Sequence, residues 1–363
     1  MISKSIVRKL FVKVFLLAAA IVAYVYFVEG GFGGSISIMV FLGILGTSFL
    51  LFVFLYWYEI VRPLRVVMVQ IQALLAGKAY KRIYTERVDE VGLIAQFFNQ
   101  VTKGLGKVGD QIKDRERMVD ELELAAELQR DLLPSAAPVI AGLEIVAKSR
   151  PATEVGGDSY GFFPAGDKTH IYIGDVTGHG VAAGLIMTMV NSFVGIFSGI
   201  YASAYEIVVQ VNANVKKYVK KSMFMTFLML SWDAKTQKMT YVGAGHEHLL
   251  IFRSNSGQCD ELMGGGIALG MVDDNSQKIK ELELELGEGD FVILYTDGIT
   301  EARNAAKEQF GLERLKKLVV EYCPQYGAEG VNFHIAQDVV AFAGEGAQED
   351  DMTLIVIKRV SKV

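Results

Sequence analysis

The sequence predicts an α+β chain: two packed β-sheets flanked by helices, preceded by two membrane-length apolar spans and a long helical segment. Three observations predict it. The first 58 residues hold the apolar excess of the chain. An apolar stripe of helical period follows and runs on to Pro134. From Leu143 onward, strand-like runs bounded by Gly, Asp or Asn are mixed with paired helical stretches.

The apolar start comes first. A hydrophobic share of 51% and a mean hydropathy of +0.31 over 363 residues are too high for an ordinary soluble chain. Gly30 to Tyr58 carries no charge, and Ile36–Tyr58 alone is long enough to cross about 30 Å of hydrocarbon. Leu10–Val28 is interrupted only by Lys13, which can snorkel. Lys4, Arg8, Lys9 and Lys13 flank the first run, Arg62 and Arg65 follow the second, and the connector "EGGFGGS" holds no basic residue. This asymmetry predicts a two-pass hairpin over 1–58, seated in a lipid bilayer, with both termini cytoplasmic. A cleaved signal peptide is the competing reading, and the second span argues against it. Cys259 and Cys323 lie far apart without a metal or disulfide spacing, as in a reducing compartment. The net charge of −5, with no basic stripe interleaved with aromatics, predicts no nucleic-acid partner.

The helical segment comes next. Ile60, Leu64, Val67, Ile71 and Leu74 step by 4 and 3 before "GKAYKRIYTERVDEVG" breaks the helix. A second helix starts at Asp89 and Glu90, acids suited to a helix N-terminus, and keeps the step through Val91, Ile94, Phe98, Val101, Leu105, Val108 and Ile112. Two short helices, a glycine-containing connector, Pro63 and "DEVG" resemble a HAMP module, assigned to 59–107. The stripe continues through Arg115, Val119, Leu122, Ala126, Gln129 and Leu133, which predicts a coiled-coil linker over 108–134 and a homodimer. Arg115 and Gln129 fall on its seam, where polar residues fix register and weaken the coil.

The remainder, 135–363, reads as one domain. Its strand-like runs are "GLEIVAKSR", "THIYIGDV", "FMTFLMLSWD", "KMTYVGAG", "HLLIFR", "KELELEL", "DFVILYTDG" and "MTLIVIKR". Helices are expected over Val181–Lys221 and over Leu312–Gly344, each in two pieces.

Four acidic stations share one design, an apolar strand meeting Asp beside glycine or a turn residue. They are Asp158 in "EVGGDSYGFF", Asp175 in "IGDVTGHG", Asp297 in "LYTDGITEARN" and Asp350 with Asp351 in "QEDDMTLIVI". One such Asp is a solvated turn residue. Four in one domain, converging at strand ends, would raise one another's pKa unless a cation neutralised them. Oxygen-only ligands suit Mg²⁺ or Mn²⁺, and the absence of His and Cys from these stations tells against zinc. Two ions about 3.5–4 Å apart make a site for in-line attack on a phosphoryl group.

The motifs "AAELQRDLLP", "RPATEVGGDSYGFF", "IGDVTGHGVAAGLIM", "GAGHEHLLIFR", "YTDGITEARN" and "DDMTLIVIK" resemble those of the metal-dependent PPM (protein phosphatase 2C-like) phosphatases, SpoIIE-type bacterial branch, from Ala125 to the C-terminus. The resemblance implies a four-layer αββα sandwich and a binuclear Mn²⁺/Mg²⁺ centre. It implies that Asp175 bridges both ions, that Asp297 and Asp350 complete one, and that the Val176 carbonyl and Asp158 serve the other. Asp350, three before Thr353, matches the ligand, and Asp351 holds the loop. Glu301 stands where relatives help hold a third ion. The implied enzyme is a protein serine/threonine phosphatase in the bacterial inner (cytoplasmic) membrane, acting on a cytoplasmic phosphoprotein of the STAS type. Gly161, where an acid is common, and "HEH" after Gly245, where proline is usual, depart from the pattern near the expected mouth of the site. Most members of this branch lack the arginine that grips phosphate in eukaryotic relatives; the sequence nominates none in its place, and Arg303 is only a guess.

Several residues invite a catalytic role and have a plainer one. His179 sits in a glycine loop out of alignment with the family's acid. His246 and His248 lack a third ligand and read as structural. Competing functions are an inactive PPM-fold scaffold that binds phosphoproteins, and a diguanylate cyclase, which "GGDSY" matches only in its Gly-Gly-Asp. A sensor kinase fails for want of any His between Arg62 and Leu143.

Overall fold

A computed structural model describes residues 5–28, 38–344, 346 and 348–361. The connector "EGGFGGS" between the apolar runs lies outside the described residues. The chain divides into two compact units, Met1–Arg117 and Met118–Val363.

In the first unit, helices α1 (Ile6–Val28) and α2 (Ile38–Tyr56) are long and apolar enough to cross a membrane, with exposed side chains such as Phe15, Leu16, Phe49 and Leu50. Helix α2 does not stop at Tyr58. It passes through a π-turn at Trp57–Val61 into α3 (Arg62–Leu75). Pro63 explains the turn: it offers no N–H to the preceding turn, and its ring needs the space that the wider loop gives. The first turn of α4 (Glu90–Leu132) is fixed by Asp89, which accepts from Gly92 N at 3.2 Å and from Arg87 Nε at 3.0 Å. Burial opposes ionisation of Asp89, but the hydrogen bonds from Arg87, Gly92 and Lys9 outweigh it and bring its pKa down to about 2. Glu90 accepts from Ile6 N at 2.8 Å and Lys9 Nζ lies 3.2 Å from Asp89, so "DEVG" also holds the start of α1. Gly92 admits no side chain, because a Cβ there would stand 2.1 Å from the Arg87 carbonyl. Val67, Ile83, Val91, Ala95 and Phe98 form a small core, and Asn99 brackets Ile83 N and O at 2.9 and 2.8 Å.

The second unit is a sandwich. One sheet orders its strands β1 (Leu143–Arg150), β10 (Met352–Arg359), β9 (Phe291–Tyr295), β6 (His246–Arg253) and β7 (Gln258–Gly265). The other orders β2 (Ser159–Ala165), β3 (Lys168–Val176), β4 (Met225–Asp233), β5 (Lys238–Ala244) and β8 (Glu281–Leu284). All named pairs are antiparallel. Ile171, Ile173, Leu228, Trp232, Leu249 and Ile355 belong to the core between the sheets. Helices α5 (Val181–Ser198) and α6 (Ala204–Val215) cover the second sheet, while α8 (Leu312–Tyr322) and α9 (Ala328–Ala343) cover the first, with α7 (Asp297–Thr300) a single turn after β9. This is an α+β fold of four layers. Helix α5 is apolar enough to pass for a third membrane span, but it is a core helix with Met187, Val190 and Val194 fully buried.

Two strands are missing from the sequence reading, β2 and β7. Both lie at sheet edges, where Pro164 in β2 and the polar "QCDE" of β7 are tolerated and blur the alternation that the other edge strands, β1 and β8, keep.

Candidate metal centre

The four acidic stations come together at one end of the sandwich, and both sheets contribute. Asp158 immediately precedes β2 and Asp175 is the last residue but one of β3, in one sheet. Asp297 begins α7 just after β9, and Asp350 precedes β10, in the other. Asp175 feels the repulsion of Asp158, Asp297, Asp350 and Asp351 together, which places all five in one electrostatic cluster.

Asp158 is 4% exposed. Its Oδ2 accepts from Thr296 Oγ1 at 2.8 Å and Thr353 Oγ1 at 2.6 Å, hydroxyls that reach across from the opposite sheet. Its Oδ1 is buried with no hydrogen-bond partner. A buried carboxylate oxygen left bare costs several kcal/mol unless it is protonated or meets a cation. Burial pushes the pKa of Asp158 well above the carboxylate range, and Asp351 and Asp297 push it further. Burial and the same neighbours raise Asp175 more strongly still. Asp297 is raised to about 6 by burial, then by Asp350, Glu247 and Glu301.

Asp351 has a different task. Its Oδ1 accepts from Ala152 N at 2.7 Å, and its Oδ2 from Gly157 N at 2.5 Å and Asp158 N at 3.3 Å. Both oxygens are spent on the backbone of the Asp158 loop, while Asp350 accepts from Asp351 N at its Oδ1, at 2.9 Å, and from Gln348 Nε2 at its carbonyl, at 2.8 Å. Helix α4 grips the same loop from another side: Gln129 Nε2 donates to Gly156 O at 2.6 Å and Gly156 N donates to Gln129 Oε1 at 3.0 Å. The Val176 carbonyl lies against Gly157, where a Cβ would approach it to 3.1 Å. Glycine is also required at Gly298, whose Cβ would fall 2.0 Å from the Asp351 carbonyl.

Beneath the cluster His246 spans the two sheets, its Nδ1 3.0 Å from Thr226 Oγ1 and its Nε2 3.0 Å from Tyr295 O. Burial lowers its pKa to about 4, so at neutral pH the ring is an uncharged strut with Nε2–H as donor to Tyr295. Thr226 lies opposite Asp175 in the β3–β4 register. His179 is exposed on the glycine loop, and His248 stands 3.3 Å from Glu261. Arg303 lies 3.6 Å from Glu349 across a cleft of about 230 Å³ lined by Glu301, Asp350 and Met352.

Two sequence expectations change. Gly161 does not border the mouth: it is buried opposite Tyr172 in β2–β3, and a Cβ would stand 2.7 Å from the Tyr172 ring and 2.8 Å from Phe163. Packing therefore excludes the acid usual there. Gln129, expected on the seam of a coil, brackets the Asp158 loop. Thr296, Thr353 and Glu247 carry no role in the sequence reading, although each stands inside a quoted motif.

These residues fit a divalent cation: all acidic oxygens, one of them buried and bare, held in mutual repulsion. Among the described residues no three His, Cys, Asp or Glu side chains stand close enough to share one ion.

Comparison with known proteins agrees. The family Stage II sporulation protein E (SpoIIE) matches residues 165–360, more than half of the chain, including Asp175, Asp297 and Asp350 but beginning after Asp158. Phosphoserine phosphatase RsbU of Bacillus subtilis is 30% identical over 289 residues, covering 78% of this chain and 84% of that protein. Protein IcfG of Synechocystis sp. is 30% identical over 306 residues, 75% of this chain, which spans 47% of that longer protein. The SiaA-PP2C domain of Pseudomonas aeruginosa has the same fold, with a TM-score of 0.57 at 22% identity, over 68% of this chain and 98% of that domain. The chain belongs to the SpoIIE family of PP2C-type phosphatase domains.

Proposed function

We propose that the chain is a membrane-anchored, metal-dependent protein serine/threonine phosphatase that acts on a cytoplasmic phosphoprotein. The observation that carries the reading is the carboxylate cluster with its bare, buried Asp158 oxygen. Asp175 would bridge two Mn²⁺ or Mg²⁺ ions, Asp297 and Asp350 would complete one, and Asp158 with the Val176 carbonyl would serve the other. Bound there, the pair supplies an acidified water and a hold on the phosphate oxygens. The chain's own residues do the rest. Thr296 and Thr353 keep Asp158 aimed, Asp351 and Gln129 hold its loop, and neutral His246 keeps the two sheets in register beneath it. Glu301, which lines the cleft with Asp350, would help hold a third, weaker ion.

Relatives support the substrate class. RsbU is named a phosphoserine phosphatase, and a phosphorylated STAS-type switch protein is the substrate we expect here. The apolar α1 and α2 with their basic flanks support an inner-membrane anchor. The core at Val67, Ile83 and Phe98, with Asp89 and Gly92 setting the start of α4, supports a HAMP-like relay over 59–107. Val101, Leu105, Val108, Ile112 and Val119 form an exposed stripe on α4, which supports a parallel dimer through 108–134.

The test is direct. Full-length protein in detergent should hydrolyse phosphoserine peptides and p-nitrophenyl phosphate only with Mn²⁺ or Mg²⁺. Chelator should abolish the activity, and Asp175→Asn should lower it by more than about 100-fold, beyond the usual cost of losing an outer-shell partner. Hydrolysis that survives either control would sink the mechanism.

A further inference from the structure

A phosphorylated protein approaching this site meets a mouth of carboxylates, so the enzyme needs positive charge close by. Arg303 is engaged with Glu349. The densest basic run in the chain is "VKKYVKK", Val215–Lys221, with four lysines in six residues of a chain whose net charge is −5.

That run is a built turn beside the site. Helix α6 ends at Val215, and the chain turns through Lys216–Ser222 before it enters β4. Val215 is fully buried and Val219 packs on the same core, which pins the inner side of the turn. Gly270, at φ +84°, leaves room for Val219, since a Cβ there would stand 2.8 Å from its Cγ2. Lys216 is consumed as an anchor: its Nζ donates to Gly270 O at 3.0 Å and Met271 O at 3.1 Å. Lys217, Tyr218, Lys220 and Lys221 are exposed, with Tyr218 71% accessible. Lys217 reaches only Asn214 Oδ1 at 3.2 Å, and among the described residues none of the three exposed lysines forms an ion pair. The turn is joined to the metal-site loop. Phe224 O accepts from Thr177 N at 3.0 Å, and Thr226 lies opposite Asp175. Lys221 is three residues from Phe224, within about 11 Å along an extended chain.

We propose that this turn is the docking site for an acidic surface of the phosphoprotein substrate, with Lys217, Lys220 and Lys221 making the contact. The proposal rests on the phosphatase reading above and adds the charge of the partner. Lysines at a rim act on encounter and on KM, in a salt-dependent way, and leave the chemical step alone.

The test uses the full chain with Mn²⁺ and three probes: a phosphoserine peptide with Asp/Glu flanks, one of equal length with Ser/Gly flanks, and p-nitrophenyl phosphate. The native protein should show the lower KM for the acidic peptide, and added NaCl should erode that preference. Replacing all three lysines (Lys217→Glu, Lys220→Glu, Lys221→Glu) should raise KM for the acidic peptide by roughly tenfold, as expected for three rim pairs. The kcat and p-nitrophenyl phosphate hydrolysis should stay unchanged, and the corresponding Gln variant should fall between. Equal KM values for both peptides, or a preference that survives charge reversal, would overturn docking while the phosphatase reading stands. Loss of p-nitrophenyl phosphate hydrolysis in both variants would assign the turn to the catalytic frame and overturn it too. In nanodiscs, an effect of the substitutions seen only with phosphatidylserine would assign the turn to the bilayer instead. If the native protein hydrolyses none of the three probes, the phosphatase reading fails and the docking site goes with it.

Discussion

Asp158 concentrates the physics of the site in one side chain. Two hydroxyls from the opposite sheet satisfy Oδ2, and Oδ1 has nothing. Thr353→Val keeps the shape and removes one donor, which disfavours the ionised form that a cation needs. Titration calorimetry should show Mn²⁺ affinity falling about 10–100-fold, with circular dichroism unchanged. The same carboxylates set a pH dependence. Asp158, Asp175 and Asp297 have pKa values raised in the fold, so the protonated forms belong to the folded state while the unfolded chain titrates near 3.8. The stability they contribute is fully present below about pH 4. It is lost as pH rises through about 6 at Asp297 and about 9 at Asp175. Chelator-treated protein should therefore melt at a lower temperature at pH 8 than at pH 5. Mn²⁺ should raise the melting temperature more at pH 8, where protons no longer compete for the ligands. A larger gain at pH 5 would contradict this account.

At the scale of elements, α4 draws the most from a single pattern. Its stripe serves three surfaces in turn: Val91 and Phe98 enter the small core, Val101 to Val119 lie exposed, and Ala126 is buried in the catalytic unit. The 3-4 period was legible because all three surfaces want apolar residues on one face. It did not say which surface each residue meets, so Gln129 read as a flaw in a coil when it is two hydrogen bonds to Gly156, each worth about 1 kcal/mol. Eight strands and both helix pairs were legible from their apolar runs or alternation, whereas β2, interrupted by Pro164, and β7, with its polar "QCDE", were not. Asp175, Asp297 and Asp350 stood out because an Asp beside glycine or a second Asp recurs at the ends of apolar strands. Thr296 and Thr353 did not, because their partners are distant in sequence, and His246 read as structural without showing which partners it holds. If α4 carries a signal to Gly156, its rotational phase matters. Two residues inserted after Lys113 turn everything beyond by about 200°, and a heptad by about −20°. The first should change full-length activity by about fivefold or more. The heptad should leave it near the native value. Equal activity in both would rule out mechanical coupling.

For the whole molecule, the site's position matters more than its composition. It closes one end of the sandwich with residues from both sheets: Asp158 and Asp175 from one, Asp297 and Asp350 from the other, with Thr296, Thr353 and His246 already crossing between them. Elsewhere the sheets meet through side chains such as Ile171, Leu249 and Ile355, which are free to part as the core loosens. An ion shared between the sheets acts as a rivet, and a rivet is felt chiefly in how slowly a structure comes apart. Digestion by thermolysin under conditions where cleavage follows global opening should therefore slow markedly when Mn²⁺ replaces chelator, and Asp175→Asn should remove that protection while leaving the chelator-treated rate little changed.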